Sequence, residues 1–333
     1  MPEGDAVLLL ARTFEQTMLG QRVWASSPQG RFQSSAARID GWNMVAVRIH
    51  GKHMFLGFAP HDPGSADPTR PTDEGGHALV DEGTDADARL WIHIHLGLYG
   101  SWRFSGDDTF RAPDSIGAPR VPAQEQGHQA QRWSGTAPAA GWEPPTPIGQ
   151  VRLRLRTAHG VADLTGPNRC ELVDGDTVRG IEERLGPDPL APGARDDTHA
   201  RERFVADVRR SRRAVGELVM DQGVVAGVGN IYRAESLFLA GISPMRRGER
   251  VGEARLRRLW TVICDLMARG LELGRIDTVS PQDAPEPPIP DDEEASRWYV
   301  YHRTGRPCLR CGTPIAEKLM AQRRLFWCPG CQH

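Results

Sequence analysis

The stretch CLRCGTPIAEKLMAQRRLFWCPGC, residues 308–331, carries two Cys-x2-Cys pairs with 16 residues between them. Each short loop holds two sulfurs close together, and thiolates bind zinc strongly, so the spacing predicts one tetrahedral zinc site. The four candidate ligands are Cys308, Cys311, Cys328 and Cys331. Four protein ligands leave no open coordination position, which predicts a structural ion. Between the pairs, Arg323 and Arg324 are expected at a hairpin tip, where guanidinium groups could reach phosphates.

The rest of the chain changes from strand-like to helical patterning. Apolar residues recur at helical spacing near residues 7–18, which predicts an opening helix. Strand-like segments follow to about residue 175, and VRLRLR at 151–156 alternates apolar and basic residues as a half-buried strand does. From about residue 196 the apolar residues again recur at helical spacing. The pattern therefore predicts an α+β chain.

Three stretches have the composition of loops. Residues 60–88 and 105–149 are rich in Pro and Gly together with Asp or Gln, and we expect long loop insertions there. Residues 276–296 are acidic and rich in proline, which predicts a linker.

Composition excludes several classes of protein. The 333 residues are 39% hydrophobic and 25% charged, which is enough for a packed core. No apolar run approaches the roughly 18 residues of a membrane-spanning helix, and the acidic start does not resemble a signal peptide. We therefore expect a cytoplasmic protein, with Cys170 and Cys264 as core thiols rather than disulfides. The net charge of −2 excludes only a uniformly basic protein.

Lysine is rare in this chain, because only Lys52 and Lys318 stand among 41 lysines and arginines. Lysine is a compact point charge and arginine a planar fork, so the two are not equivalent at a tight site. Lys52, in the segment GKHMFL, is therefore either a functional lysine or a surface-loop lysine that is present by chance.

The segment DQGVVAGVGNIYRAES, residues 221–236, places three glycines between two helical stretches. Glycine lets backbone N–H groups approach a ligand closely, and helix N-termini bind phosphates. Asn230 adds an amide donor, and flanking arginines favour nucleic acid. The alternative is a plain helix-packing turn.

Pro2 presents a secondary amine if Met1 is removed. Such an amine can attack a sugar C1′ and form an iminium ion, and the adjacent Glu3 could transfer protons. The alternative is an ordinary Met-Pro-Glu start with no chemical role.

The segment HIHLGLYG, residues 93–100, combines two histidines with an apolar turn. His93 and His95 would share a strand face, which suggests a metal pair for which no third ligand is evident. Leu98 and Tyr99 could wedge into a base stack, as proteins that extrude bases require, or they could belong to an ordinary hairpin.

Together the motifs MPEG, GKH, HLGLYG, DQ…AG-GN-YR and the final C-x2-C…FWCPGCQH resemble the formamidopyrimidine-DNA glycosylase/endonuclease VIII family. The Leu98–Tyr99 pair and MPEG resemble the endonuclease VIII branch. The resemblance covers the chain except the two insertions and the linker, and Asp5-Ala6 departs from the family's common Pro-Glu. It implies a two-layered β-sandwich with an N-terminal helix, a helix–two-turn–helix domain and a zinc-finger hairpin. On this basis the predicted domains are 1–185, 186–285 and 286–333.

The resemblance also implies roles for individual residues. Pro2 matches the nucleophile, Glu3 the general acid/base, and Lys52 a catalytic-site lysine that contacts a phosphate near the lesion. Phosphate contacts are implied for His95, Asn230 and Arg323, and a void-filling wedge for Leu98 and Tyr99.

The implied activity is excision of oxidised pyrimidines from damaged duplex DNA, followed by β,δ-elimination through a Pro2 Schiff base. The implied protein is a monomer with structural zinc as its cofactor and no membrane association. One alternative is an inactive or lyase-only DNA-binding repair accessory on the same scaffold. A zinc-ribbon RNA-binding protein is a further alternative, but it leaves Pro2, Glu3 and Lys52 unexplained.

Overall fold

The computed structural model describes residues 2–61, 90–118, 142–285 and 296–333. Its contacts divide the chain into two compact units. The first contains Pro2 and residues 6–182, and the second contains residues 3–5 and 183–333. The division into three domains stays a prediction.

The first unit is built around antiparallel strands. Its described helices are α1 (Gly4–Thr17, of which the first two residues belong to the second unit), α2 (Gln33–Ile39) and α3 (Gly175–Glu182). Its described strands are β1 (Arg22–Ser26), β2 (Trp42–His50), β3 (His53–Ala59), β4 (Leu90–His95), β5 (Ser101–Gly106), β6 (Ser115–Gly117), β7 (Val151–Arg156), β8 (Gly160–Thr165) and β9 (Arg169–Val173).

These strands form one continuous antiparallel series in the order β6-β5-β8-β7-β1-β2-β3-β4-β9. Strand β1 joins the two halves, because it pairs with both β2 and β7. The larger hydrophobic core of this unit takes Phe14 from α1, Leu56 from β3, Trp102 from β5 and Leu164 from β8. The predicted α+β architecture, with an opening helix and a large sheet, is confirmed.

Strand β7 also follows its predicted alternation. Val151, Leu153 and Leu155 are buried, and the three arginines between and after them are half-buried or exposed. The period of two therefore places the apolar side chains on the core face of the sheet.

Part of the predicted 105–149 loop is a strand instead. Strand β6 pairs with β5, and its central Ile116 is buried in the core. Three residues are too few to show an alternating pattern, which explains why composition alone indicated a loop. Within the two predicted insertions, residues 62–88 and 119–141 lie outside the described part of the chain.

The second unit combines helices with a C-terminal hairpin. Its described helices are α4 (Thr198–Arg209), α5 (Val215–Leu218), α6 (Asn230–Leu239), the short 3₁₀ helix Gly248–Arg250, and α7 (Glu253–Leu273). Its described strands are β10 (Ala316–Met320) and β11 (Arg323–Trp327), which pair as an antiparallel hairpin. Among all described helices, none is long and apolar enough to cross a bilayer.

The linker prediction is wrong for the first part of residues 276–296. Thr278 is buried, and its hydroxyl donates to Glu235 Oε2 at 2.5 Å. Val279 lies in a hydrophobic cluster, and Trp298 Nε1 donates to the Ile276 carbonyl at 3.2 Å. A few buried residues do not alter the average composition of a proline-rich stretch, so their burial could not be predicted from composition. Residues 286–295 lie outside the described part of the chain.

Candidate active site and nucleic-acid interface

Glu3 is buried at the N-terminus of helix α6. Its Oε2 accepts hydrogen bonds from the backbone N–H groups of Gly229 at 2.7 Å and Tyr232 at 3.4 Å, and its Oε1 accepts from Ile231 at 2.9 Å. These N–H groups have no partner inside the helix and carry the positive end of its dipole. The start of α6 therefore fixes the Glu3 carboxylate as a hydrogen-bond acceptor.

The glycines before α6 make this approach possible. A Cβ atom at Gly229 would overlap the carboxyl group of Glu3. The Gly4 N–H donates to the Gly227 carbonyl at 3.0 Å and fixes the backbone next to Glu3. The glycines thus permit a close approach by the Glu3 carboxylate of the same chain, while the predicted approach of a phosphate stays a prediction.

Asp5, which departs from the family pattern, also contacts α6. The Tyr232 hydroxyl donates to Asp5 Oδ2 at 2.9 Å, and both side chains are buried. Burial, together with the nearby Asp5 and Glu3, raises the pKa of Tyr232, so the phenol stays protonated and acts as a donor. Helix α6 therefore holds two acidic side chains from the beginning of the chain.

Asn230 is the first residue of α6, and both ends of its amide are engaged. Its Nδ2 donates to the Arg324 carbonyl at 3.0 Å, and its Oδ1 accepts from the Arg233 guanidinium. Arg233 also donates to the Arg324 carbonyl, at 3.1 Å. Glu3, Asn230 and the strand that begins at Arg323 therefore meet at one end of α6.

Arg233 is one of the arginines within and beside the 221–236 segment that favoured nucleic acid, but its side chain is fully buried. Burial, and then the neighbouring Arg323, lowers the pKa of Arg233 to about 10, which leaves it charged at neutral pH. The sequence did contain one indication of the contact between Arg233 and Asn230. The two residues are three positions apart on a predicted helix, and residues at that spacing are neighbours.

The hairpin between β10 and β11 turns at Ala321 and Gln322, which have positive φ angles of 49° and 60°. Arg323 therefore follows the tip rather than occupying it. Arg324, predicted beside it, forms an ion pair with Glu317 in which Nε lies 2.5 Å from Oε1. This hydrogen-bonded pair lowers the pKa of Glu317 to about 2.

Lys52 lies in the first unit, in the two-residue turn between β2 and β3. Gly51 supplies the positive φ, 60°, that such a tight hairpin needs. His53 is paired in register with His95 of β4, so the turn lies beside His95. Burial, Lys52 and Arg169 lower the pKa of His95.

The histidines on these strands contact each other. His53 Nδ1 lies 2.8 Å from His93 Nε2. Within the described residues, only the four cysteines bring together three or more potential ligand atoms from His, Cys, Asp and Glu. The alternative of a metal pair at His93 and His95 is therefore not supported.

The predicted wedge residues are exposed, whereas the predicted nucleophile is buried. Leu98 and Tyr99 expose 45% and 78% of their surface on the turn between β4 and β5. Large apolar side chains on an exposed turn are available to contact a partner. Pro2 is buried in the chain that still carries Met1.

The four cysteines converge at the base of the β10–β11 hairpin. All four sulfurs lie within 4.8 Å of one another, with 3.9 Å between Cys308 and Cys331 and 3.4 Å between Cys311 and Cys328. Tetrahedral zinc with Zn–S bonds of about 2.3 Å requires sulfurs about 3.8 Å apart. The cluster thus fits one ion, and its four sulfurs would complete the coordination.

Comparisons with known proteins agree with this arrangement. Residues 185–281 match the family described as "Formamidopyrimidine-DNA glycosylase H2TH domain". The chain is 35% identical over 334 residues to "Endonuclease 8 1" of Mycobacterium tuberculosis, and the match covers 100% of both chains. It is also 38% identical over 343 residues to a formamidopyrimidine-DNA glycosylase of Xanthomonas campestris pv. campestris, again over 100% of both.

Solved structures of Lactococcus lactis Fpg show the same fold. A complex with DNA that contains an abasic site has a TM-score of 0.66 at 19% identity and covers 99% of both chains. A complex with DNA that contains an oxidised pyrimidine has a TM-score of 0.66 at 19% identity and covers 100% of both.

Proposed function

Because this chain belongs to the formamidopyrimidine-DNA glycosylase/endonuclease VIII family of base-excision-repair DNA glycosylases, we propose that it excises oxidised pyrimidines from duplex DNA and then cleaves the strand as an AP lyase. The observation that carries the proposal is the Glu3 carboxylate, which three backbone amides hold immediately after Pro2 in the chain.

Pro2 is the proposed nucleophile. After removal of Met1, the lone pair of its nitrogen attacks C1′, and the glycosidic bond breaks with its electron pair leaving on the base, which takes up a proton. The Pro2 nitrogen loses its proton, the C1′–O4′ bond breaks with O4′ taking up a proton, and an iminium ion then joins Pro2 to C1′. Loss of a C2′ proton expels the 3′ phosphate with the electron pair of the C3′–O bond. Loss of a C4′ proton then expels the 5′ phosphate with that of the C5′–O bond, and water releases the sugar fragment from Pro2.

Glu3 is the proposed group for proton transfer in these steps. Its carboxylate lies one residue from the nucleophile, and positioned acids and bases of this kind typically contribute about 10²- to 10⁴-fold to the rate. The fixed amides at the start of α6 support this role, because they hold the carboxylate in one place.

DNA binding is proposed to use phosphate contacts from both units. The proposed contacts are Lys52 and His95 in the first unit and Asn230 and Arg323 in the second. Basic and amide groups of this kind position a protein on DNA without reading its sequence. The four cysteines would hold a structural zinc ion, which would stabilise the hairpin that carries Arg323.

The preference for oxidised pyrimidines is proposed from the turn after β4. The exposed Leu98 and Tyr99 can fill the gap that an extruded nucleotide leaves in the stack. The pair resembles the wedge of the endonuclease VIII branch, and the full-length similarity to Endonuclease 8 1 supports the same branch.

Borohydride trapping tests the proposal directly. Intact mass first establishes that Met1 is absent, and the protein is then incubated with borohydride and a duplex that contains an abasic site, 5-hydroxyuracil or 8-oxoguanine. We expect covalent complexes with the first two duplexes and far less with the third.

The outcomes separate the alternatives. Trapping on the abasic site alone would indicate a lyase without the proposed glycosylase activity. Binding without trapping on any duplex would indicate an inactive scaffold. A Pro2→Gly variant that still forms the complex would remove Pro2 as the nucleophile.

A further inference from the structure

A pair of histidines beside Lys52 has no role in the chemistry above. His53, at the start of β3, and His93, in β4, approach through Nδ1 and Nε2 at 2.8 Å. Their rings are stacked with centroids 5.1 Å apart, and His93 also stacks on Phe55 at 4.8 Å. His93 is only 1% exposed, whereas His53 is half-buried.

This contact requires one proton shared between two ring nitrogens, so one ring donates and the other accepts. If His53 donated from Nδ1, the neutral His93 would carry its remaining proton on Nδ1. That atom is buried and has no hydrogen-bond partner among the described residues. Burial of an unpaired N–H donor is rarer than burial of an unpaired acceptor. The favoured arrangement therefore has His93 donating from Nε2, with its bare Nδ1 buried.

The proton of His53 must then reside on Nε2. This atom lies across the ring from the His93 contact, which engages Nδ1 of His53. His53 therefore presents a single N–H donor next to the β2–β3 turn that carries Lys52.

Burial, together with neighbouring basic groups, keeps both rings neutral. His50 of β2, Lys52 of the turn, His95 of β4 and Arg169 of β9 surround the pair, and Glu171 of β9 is paired in register with His93. Burial, and then the neighbouring His93, lowers the pKa of His53 to about 3, and burial and Arg169 lower that of His93 to about 4.

We propose that His93 is a positioning residue that fixes His53 as a neutral Nε2–H donor to a DNA phosphate oxygen beside Lys52. The inference rests on the proposed function in taking DNA as the ligand. A neutral donor recognises the oxygen by direction and displaces no counterion, which distinguishes it from the adjacent lysine.

The tautomers can be observed without DNA. Long-range ¹H–¹⁵N spectra of protein labelled on histidine nitrogens distinguish Nδ1–H, Nε2–H and charged rings. We expect both residues as neutral Nε2–H tautomers from pH 8 down to about pH 5. A charged His53 at neutral pH, or a proton on its Nδ1, would overturn the inference.

Variants test the effect on binding with a duplex that contains a tetrahydrofuran abasic analogue, which the enzyme cannot cleave. Glutamine places an N–H close to the Nε2 position of histidine, and leucine does not. We expect His53→Leu and His93→Leu to weaken binding about tenfold, as loss of a hydrogen bond to a charged group would. His53→Gln and His93→Gln should stay within about threefold of the original affinity.

The salt dependence provides the decisive readout. His53→Leu should leave the slope of log K against log salt unchanged, whereas Lys52→Gln should reduce it by about one. A slope reduced by His53→Leu would show a cationic contact and refute the neutral donor. Equal weakening by His93→Gln and His93→Leu would show that packing alone is lost. The glutamine variants keep this test available if a leucine variant does not fold.

Failure of the proposed function would look different. If trapping fails while the tautomers and the affinity pattern hold, the protein binds DNA as inferred without the proposed chemistry. If trapping succeeds while His53→Leu binds with unchanged affinity, the histidine inference alone is wrong.

Discussion

Two buried carboxylates, Glu3 and Glu235, contact or belong to helix α6 and accept hydrogen bonds in nearly the same pattern. We propose that their functions differ. Glu3 accepts from the amides of Gly229, Ile231 and Tyr232 at the start of the helix. Glu235, which projects from the helix itself, accepts from three successive amides, those of residues 299–301, and from the Thr278 hydroxyl. Burial and backbone donors alone therefore do not identify a catalytic acid, and the proposal for Glu3 also depends on its position next to Pro2.

The difference lies in what each carboxylate connects. Glu235 joins α6 to the segment before the cysteine hairpin, and four donors occupy its two oxygens. Glu3 connects α6 to the residue that bears the proposed nucleophile. The same hydrogen bonding thus joins two chain segments at Glu235, and in the proposed mechanism it positions a reactive group at Glu3.

Glu3→Gln should produce the largest change. We expect single-turnover base excision to fall by about 10²- to 10⁴-fold, because the proton-transfer group is lost. Binding to the abasic analogue should stay within a few-fold of the original affinity. An excision rate within tenfold of the original would show that Glu3, like Glu235, has a structural role only.

Glu235→Gln should act on stability instead. The NH₂ group of glutamine would face backbone N–H donors, and leaving these buried donors unsatisfied should cost about 3 kcal/mol in the free energy of unfolding. Denaturant unfolding measures this loss, with Thr278→Val as a milder control at about 1 kcal/mol. The excision rate of the folded fraction should change less than threefold. A loss of activity as large as that of Glu3→Gln would show that the two carboxylates do not differ in function.

Tyr232→Phe tests whether Asp5, like Glu3, has a role in the proposed chemistry. The change leaves the buried Asp5 carboxylate without the phenol donor, which should cost about 2 kcal/mol in unfolding free energy. Asp5→Asn keeps an acceptor for the phenol and should cost less. If excision per folded molecule falls more than tenfold in Tyr232→Phe, the Asp5 contact positions the start of the chain for chemistry.

The smallest effect concerns the strand that meets the start of α6. Arg323→Ala should reduce the slope of log K against log salt by about one, because one phosphate contact is lost. Arg324→Ala is the matched control, since Arg324 already pairs with Glu317. Equal slopes for the two variants would show that Arg323 does not contact phosphate.

The sequence predicted the features that depend on local spacing. The cysteine pairs and the alternation of β7 are examples, because a few neighbouring residues determine each one. The resemblance to a family also indicated that Glu3 and Asn230 matter, although their roles stay predictions.

The contacts of these residues could not be predicted, because they join distant parts of the chain. Glu3 and Gly229 are 226 positions apart. The burial of Arg233 beside Asn230 could not be predicted, because an arginine is ordinarily expected at the surface. Thr278 lay hidden in a stretch with the composition of a linker, because a single buried hydroxyl leaves the average unchanged.

The close approach of Gly229 to Glu3 also has an evolutionary consequence. Any side chain at position 229 would occupy the space of the Glu3 carboxyl group. The two positions should therefore be inherited together, with glycine at 229 wherever an acid stands at position 3. In a survey of related genomes, a chain that has gained a side chain at 229 should therefore lack the acid at position 3.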